Sequence, residues 1–290
     1  MQGKIIRLIS NQYRVLLDDK RIVDCIAMGK IRLDKAPIAG DLVDVETYDD
    51  KYGIEKIYPR RNQLIRPPIA NVDQAIIVMS AVEPDFSMTL VDQLIFLITC
   101  ANIKPIIMIS KMDLVKDMRV ILSIIEDYQM GGYQVITTGK DENDRQVIAE
   151  VLKDKITVLA GQSGVGKSSF LNRINPEFML VTQKISQALG RGKHTTRHVE
   201  LHQVMDGWVA DTPGFSKLDF SNLTKNELAN VVIDFAPYRG QCRFRDCLHD
   251  KEPGCAIKEA VEKGKVSKIR YLHYQQCLGF IEEKRKDIYD

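Results

Sequence analysis

The 290-residue sequence lacks any run of about 18 apolar residues, the length that a membrane-spanning helix needs. Its first residues, 1–17, also lack the long apolar stretch and small-residue cleavage site of a secretory signal peptide. These two absences predict a cytoplasmic protein with no membrane partner. In that reducing compartment the six cysteines favour free thiols or metal ligands over disulfides.

The sequence also lacks internal repeats, low-complexity tracts and a strong net charge. The formal charge is +2, with a slight basic excess at both ends and an acidic excess in the middle. This distribution allows contact with nucleic acid but does not require it, because it is also typical of a solvated surface. The length and the 44% hydrophobic content are sufficient for two or three globular domains.

The first predicted domain, residues 1–64, contains short alternating runs such as 4–8 and 13–17, separated by turn residues. Several short strands at close spacing favour a small β-barrel, and a five-stranded OB-like barrel fits the length. Another type of small β-domain is the alternative. The proline- and arginine-rich residues 59–69 predict a linker to the next domain.

The pattern then changes twice. Residues 65–222 alternate continuous apolar runs with helical stretches such as 90–100 and 120–128, which predicts an α/β domain with a mostly parallel sheet. Residues 223–290 predict a third domain, with a cysteine-containing segment followed by a charged helical tail from Ala256. The fold class is therefore multidomain α/β.

A complete phosphate-loop motif, G-x-x-x-x-G-K-S, follows the apolar run Ile156–Ala160. A strand, a glycine-rich loop and a helix in that order point backbone N–H groups and the helix N-terminus at a β-phosphate. We expect Lys167 to bridge the β- and γ-phosphates during catalysis and Ser168 to place its hydroxyl on Mg²⁺. The predicted nucleotide ligands here are Gly161, Gln162, Ser163, Gly164, Val165, Gly166, Lys167, Ser168 and Ser169.

Upstream of this loop, Ser110, Lys111, Met112 and Asp113 follow another apolar run and are similar to a guanine-recognition signature. The Asp113 carboxylate can accept hydrogen bonds from guanine N1–H and the 2-amino group, neither of which adenine offers. Lys111 is expected along the base plane. Ser110 stands where asparagine is usual, so an ATP-dependent enzyme with an accidental match is the alternative.

The order of these two motifs is unusual. In an ordinary small GTPase the phosphate loop comes first and the base-reading motif comes late, whereas here the order is reversed. Either one motif is accidental or the nucleotide-binding fold is circularly permuted. Because the carboxyl ends of parallel strands meet at one edge of a sheet, both orders can build the same pocket.

A switch element is predicted at Asp211–Gly214, after the strand-like run 207–210. We expect Asp211 to contact Mg²⁺ through water and the Gly214 N–H to sense the γ-phosphate. A plain turn is the alternative for this tetrapeptide.

The glycine-rich, basic residues 187–197 predict a mobile loop in which Thr195 or Thr196 completes the Mg²⁺ shell, although a plain basic loop is the alternative. Phe215 stands where many GTPases carry the glutamine that orients the attacking water, so intrinsic hydrolysis should be slow. His194 is the nearest candidate for that role.

A third motif, C-x4-C-x-H-x5-C, comprises Cys242, Cys247, His249 and Cys255. Three thiolates and one imidazole predict a tetrahedral structural Zn²⁺ site that folds a segment too small for its own core. Coincidental spacing is the alternative. The other cysteines, at 25, 100 and 277, are isolated and are expected to be structural.

With these motifs in this order, nearly the whole chain resembles the circularly permuted RsgA (YjeQ/YloQ) family of ribosome small-subunit-dependent GTPases. The resemblance implies an OB fold, a permuted GTPase domain and a zinc-binding domain. It implies GTP/GDP, Mg²⁺ and one Zn²⁺ as cofactors, and slow GTP hydrolysis stimulated by the 30S subunit. It also implies contact with 16S rRNA, a role in late 30S maturation, and a catalytic role for His194.

Two further expectations complete the sequence-based picture. We expect a monomer that does not bind DNA. A nucleotide-stabilised RNA-binding module, in which hydrolysis is incidental, is the alternative function.

Overall fold

The computed structural model describes residues 1–9, 12–28, 36–49, 51–65, 68–139, 144–162, 164–167, 170–171, 199–213 and 218–289. The chain forms two compact units. The first comprises Met1–Ala75, Arg145–Leu159 and Lys167–Gly214, and the second Ile76–Asp144, Ala160–Gly166 and Phe215–Asp290. The predicted domain boundaries at 64 and 222 stay predictions. Several predicted site residues lie outside the described residues: Ser163, Ser168, Ser169, His194, Thr195, Thr196 and Gly214.

A five-stranded barrel lies in the first unit and confirms the OB-like prediction. Its strands are β1 (Gln2–Ile9), β2 (Gln12–Leu17), β3 (Ile22–Ala27), β4 (Leu42–Tyr48) and β5 (Lys51–Ile57). They close in the order β1-β2-β3-β5-β4, with β1 antiparallel to β4 and β3 parallel to β5. Alternate side chains point inwards and form the buried core, which includes Val15, Cys25 and Val45.

The segment 59–69 is not the simple linker that its composition indicated. Within it and just beyond, β6 (Gln63–Ile65) and β7 (Pro68–Ala70) form an antiparallel pair. Its Arg60 is almost fully buried, with Nε 2.6 Å from Asp41 Oδ1. This internal ion pair explains the difference, because composition alone does not show that an arginine has a buried carboxylate as partner.

Six strands form the α/β sheet in the order β10-β9-β8-β11-β13-β12. They are β8 (Gln74–Ser80), β9 (Lys104–Ser110), β10 (Gln134–Thr137), β11 (Ile156–Ala160), β12 (Leu201–Val204) and β13 (Gly207–Pro213). The pairs β9–β10 and β11–β13 are parallel, and β12–β13 is antiparallel. Both β8 and β11 are buried along their whole length, as the continuous apolar runs predict.

The named helices are α1 (Met88–Cys100), α2 (Met118–Met130), α3 (Asp144–Leu152), α4 (Lys225–Val231), α5 (Ala256–Glu262) and α6 (Lys268–Tyr289). The predicted helical tail from Ala256 comprises the last two of these helices, α5 and α6. Helix α5 ends in a Schellman motif, in which Lys265 N donates to the carbonyl of Ala260 and Gly264 N to that of Val261. Among the described helices, none is both long and apolar enough to span a membrane.

Candidate nucleotide and metal sites

The phosphate loop has the backbone that its motif predicts. After β11, Gly161, Gly164 and Gly166 have φ angles of 124°, 83° and 99°. A Cβ atom at Gly161 would lie 2.2 Å from the carbonyl oxygen of Val78, so only glycine allows the chain to leave β11 this close to β8. Lys167 is helical, and burial lowers its pKa. Among the described residues of this segment, strand β11 leads into the glycine loop, and Lys167, Phe170 and Leu171 have helical backbone.

Ser110 connects the base-reading segment to the phosphate loop. Its Oγ lies 2.6 Å from the carbonyl oxygen of Val165 and 3.2 Å from that of Met79. One hydroxyl proton serves one acceptor at a time, so the shorter contact, to Val165, is the stronger. The serine in place of asparagine therefore joins the two motifs.

The base-reading residues follow β9 in a short 3₁₀ turn, Met112–Leu114. Lys111 precedes it with a left-handed backbone, φ 61°, and its Nζ donates to the carbonyl oxygen of Glu83. Asp113 is exposed at this strand end. The contact between Lys111 and Glu83 therefore links the base-reading segment to the loop between β8 and α1.

The loop after β10 packs against Asp113. A Cβ atom on Gly139 would lie 3.3 Å from Asp113 N and 3.5 Å from Asp113 Oδ1. The Met112 N–H donates to the carbonyl of Thr138 at 3.1 Å. The end of β10 and the residues that follow it therefore lie beside Asp113.

Asp211 lies within β13 rather than in the turn that was the alternative. Strand β13 pairs with β11 through Thr157–Val209 and Leu159–Pro213. The backbone of Asp211 therefore lies in the strand that pairs with β11, and the Mg²⁺ contact of this residue stays a prediction.

The four predicted metal ligands converge. The ligand atoms of Cys242, Cys247, His249 and Cys255 all lie within 4.8 Å of one another. His249 Nδ1 is 3.5 Å from the Sγ atoms of both Cys242 and Cys255, and these two Sγ atoms are 3.9 Å apart. Ideal tetrahedral Zn²⁺ with Zn–S of about 2.3 Å and Zn–N of about 2.0 Å gives S···N near 3.5 Å and S···S near 3.8 Å. The donor set and its spacing fit Zn²⁺.

Burial favours the neutral forms of the thiols and of the imidazole in this cluster. Burial raises the pKa of the Cys247 thiol to about 12 and also raises that of Cys255, while burial lowers the pKa of His249. Neutral imidazole is the form that binds metal, and a cation is what would stabilise the thiolates. Burial also raises the pKa of the thiols of Cys25, Cys100 and Cys277 to about 12, and these three cysteines lie outside the cluster.

Two tyrosines of α6 support the ligand backbone. The Tyr271 hydroxyl donates to the carbonyl of His249 at 2.7 Å, and the Tyr274 hydroxyl donates to that of Leu248 at 2.6 Å. The Glu252 carboxylate accepts from the Leu248 N–H at 3.0 Å. These contacts fix the orientation of the ligands around the cluster.

Sequence reasoning missed a buried charge cluster in the second unit. Arg270 of α6 is 1% exposed and is surrounded by carboxylates from three other elements. Its Nε lies 2.8 Å from Asp234, and its Nη1 lies 3.1 Å from Asp127 and 3.9 Å from Asp92. We call Arg270, Asp92, Asp127, Asp234, Tyr128 and His273 the arginine cluster. Its only signal in the sequence is one aspartate, Asp92, inside an otherwise mostly apolar helix.

A mostly parallel sheet that carries a phosphate loop and a guanine-type segment, with the base-reading strand earlier in the chain, defines a circularly permuted P-loop GTPase. Comparisons with known proteins agree. A family model described as RsgA N-terminal domain matches residues 2–54, and one described as RsgA GTPase matches residues 57–221. The chain belongs to the RsgA GTPase family.

Its relatives match over almost their whole length. Small ribosomal subunit biogenesis GTPase RsgA of Bacillus velezensis is 47% identical, and that of Bacillus subtilis 46%, each covering 98% of both chains. The crystal structure of YloQ, a circularly permuted GTPase, superposes with a TM-score of 0.84 at 41% identity, covering 98% of this chain and 95% of that one. The crystal structure of YjeQ from Thermotoga maritima gives 0.83 at 33% identity, covering 97% and 98%.

Proposed function

We propose that this GTPase assists late maturation of the small ribosomal subunit in the cytoplasm, hydrolysing GTP slowly alone and faster on the 30S subunit. The 2.6 Å contact between Ser110 Oγ and the Val165 carbonyl carries the nucleotide part of this proposal. It brings the base-reading segment and the phosphate loop into one site. The names of the two Bacillus relatives support the ribosomal part.

The residue roles follow from the chemistry of phosphoryl transfer. Backbone N–H groups of the loop 161–169 would hold the phosphates, and Lys167 would neutralise charge that develops on the γ-phosphate. Ser168, Asp211 and Thr195 or Thr196 would hold Mg²⁺. Asp113 would accept from guanine N1–H and the 2-amino group, with Lys111 along the base.

Hydrolysis should be slow because nothing in the Asp211–Phe215 sequence can orient water as a glutamine does. His194 is the proposed group that positions the attacking water once the 30S subunit orders its loop. Replacement of His194 by alanine should then reduce stimulated turnover and leave GTP affinity unchanged.

One structural Zn²⁺ is proposed at Cys242, Cys247, His249 and Cys255. When bound, the ion supplies the positive charge that keeps three thiolates together. The Arg243, Phe244 and Arg245 side chains project from the loop between the first two ligands and are exposed. The Arg243 guanidinium lies 5.5 Å from the Phe244 ring centroid. An exposed aromatic ring with two arginines suits an unpaired base of 16S rRNA.

GTP turnover with and without purified 30S subunits is the main test. Stimulated turnover that is lost in Lys167→Ala supports the proposal, and turnover unchanged by 30S subunits contradicts it. Asp113→Asn is the control for base recognition, because its amide suits xanthine better than guanine. Tighter binding of ATP than of GTP by the native chain would instead support an ATP-dependent enzyme.

A second candidate function, an RNA-binding factor stabilised by nucleotide, makes a different prediction. If Lys167→Ala abolished GTP binding but left 30S maturation and release of the protein normal, hydrolysis would be incidental.

The RNA contact has its own matched pair of variants. Phe244 and Phe280 are equally exposed, at 42%, but only Phe244 has an arginine stacked near its ring among the described residues. The affinity of the native protein for the 30S subunit should fall as the salt concentration rises. Phe244→Ala should weaken this binding, whereas Phe280→Ala should leave it unchanged. Equal effects of the two changes would remove Phe244 from the RNA contact.

A further inference from the structure

Helix α6 presents two sets of side chains to two different structures. Tyr271 and Tyr274 bind the backbone of the metal-ligand loop at 2.7 and 2.6 Å. Arg270 and His273 bind α1 and α2 of the GTPase fold instead. These four residues lie within five consecutive positions of one helix, so a short rigid element connects the ligand loop to α1 and α2.

The arginine cluster holds α1 and α2 tightly. Burial alone would lower the pKa of Arg270, but Asp234, Tyr133 and Asp92 outweigh it and raise the pKa, so the guanidinium stays charged. Its Cζ lies 4.6 Å from the Tyr128 ring centroid. His273 Nδ1 is 2.6 Å from Asp92 Oδ2. A buried charge with several partners keeps its geometry, since moving one partner leaves another uncompensated.

From this cluster a short series of contacts reaches the base-reading segment. The Tyr128 hydroxyl donates to Asp92 Oδ1 at 2.9 Å, and its ring meets Phe86 edge-on at 6.4 Å. Phe86 lies in the loop 81–87 that precedes α1. The same loop accepts the Lys111 ammonium at the Glu83 carbonyl.

We propose that Arg270 is a positioning residue for guanine recognition, through which contact of the ribosomal subunit with residues 240–256 changes guanine-nucleotide affinity. The route runs from Tyr271 and Tyr274 through Arg270 and Tyr128 to the loop that holds Lys111. It differs from a γ-phosphate switch because it acts on the base. The inference rests on the proposed function, since it needs guanine binding and a subunit that touches the zinc segment.

Isothermal titration of GDP and IDP tests the proposal. IDP lacks the 2-amino group that Asp113 reads, so the ratio of the two affinities measures base recognition. Arg270→Met should weaken GDP binding about tenfold, which is within the range seen for changes along a physical connection between sites. It should also lower the ratio of GDP affinity to IDP affinity. Binding of inorganic tripolyphosphate, which has no base, should stay unchanged.

Two controls separate positioning from damage. Bound zinc and circular dichroism of Arg270→Met should match those of the native protein. Lys225→Met, which removes the ion pair between Lys225 of α4 and the exposed Glu282 of α6, should leave both nucleotide affinities unchanged. In a double-mutant cycle, Arg270→Met should have little further effect on GDP once Lys111 is alanine, because both changes act on the same contact.

Each outcome is decisive. A folded, zinc-replete Arg270→Met protein with native GDP affinity and GDP/IDP ratio overturns the proposal. If Arg270→Met does not fold, Tyr128→Phe keeps the ring and removes the hydroxyl, which contacts Asp92 at 2.9 Å and the Met88 carbonyl at 3.4 Å. The affinities of Tyr128→Phe for GDP and IDP are then compared in the same way. A ratio of these affinities equal to that of the native protein overturns the proposal. A native chain that binds neither GDP nor GTP contradicts the proposed function itself.

Discussion

Helix α6 lies between two buried polar clusters that are stabilised in opposite ways. The metal-ligand cluster has four donors within residues 242–255, and its positive charge would come from an ion. The arginine cluster takes its carboxylates from Asp92, Asp127 and Asp234 and supplies its own cation, Arg270. One is local in sequence and depends on metal. The other spans most of the second unit and depends on packing.

This difference has an energetic consequence. A segment without its own core acquires its fold from the metal, with apparent binding free energies of about 10–16 kcal/mol in zinc-finger peptides. A buried ion pair is weak evidence for net stability, but removal of one partner alone is costly, about 3–5 kcal/mol. Loss of the metal and loss of one partner in the arginine cluster should therefore have different effects on stability.

Removal of metal should have the largest effect. Chelation, or Cys247→Ser, should expose the amides of residues 242–256 to hydrogen exchange, because the remaining donors cannot hold the loop closed. Amides of the barrel strands β1–β5 should keep their protection. Complete removal of zinc with unchanged protection at 242–256 would show that the loop folds without the ion.

Arg270→Met should come next, with a loss of about 3–5 kcal/mol in the free energy of unfolding of the second unit. The reason is that the carboxylates of Asp92 and Asp234 would remain buried without their cation. Urea unfolding followed by circular dichroism measures the loss. The double variant Arg270→Met/Asp234→Leu should lose less than the sum of the two single changes, by about 0.5–3 kcal/mol. Strict additivity would mean that the two groups do not interact.

The same contrast explains what the sequence could reveal. The metal ligands, the phosphate loop and the barrel strands are each encoded by neighbouring residues, so spacing and periodicity sufficed to predict them. The arginine cluster joins residues 92, 127, 234 and 270, which only the tertiary fold brings together. An arginine on a charged tail is usually solvated, and nothing in its neighbours marks Arg270 as buried.

Ser110 shows the same limit within a motif. Its position marked the base-reading segment, but the serine weakened the match because asparagine is usual there. Its hydroxyl contact with the Val165 carbonyl depends on a loop from a distant part of the chain. The residue type was visible in the sequence, whereas its partner was not.

Tyr274→Phe tests the connection between the two clusters. It removes only the hydroxyl that donates to the Leu248 carbonyl at 2.6 Å and keeps the ring against Phe235. A buried carbonyl without its donor costs about 1–3 kcal/mol. We expect a loss of that size in urea unfolding and faster release of zinc to a chelator, because the ligand loop loses one support from α6. A zinc release rate equal to that of the native protein would show that Tyr274 only packs.

The smallest effect should come from the exposed ion pair that joins α4 to α6. Lys225 Nζ lies 2.8 Å from Glu282 Oε2, but the Glu282 side chain is 57% exposed. Water and salt screen such a pair, and holding two long side chains in one geometry costs entropy, so Lys225→Met should change stability by less than about 1 kcal/mol. The stability difference between Lys225→Met and the native protein should shrink further in high salt. The effect of Arg270→Met should persist there, because the carboxylates around Arg270 are shielded from ions. If Lys225→Met lowered the free energy of unfolding as much as Arg270→Met does, burial would not distinguish these two interactions of α6. The exposed charges would then stabilise the helix as much as the buried ones.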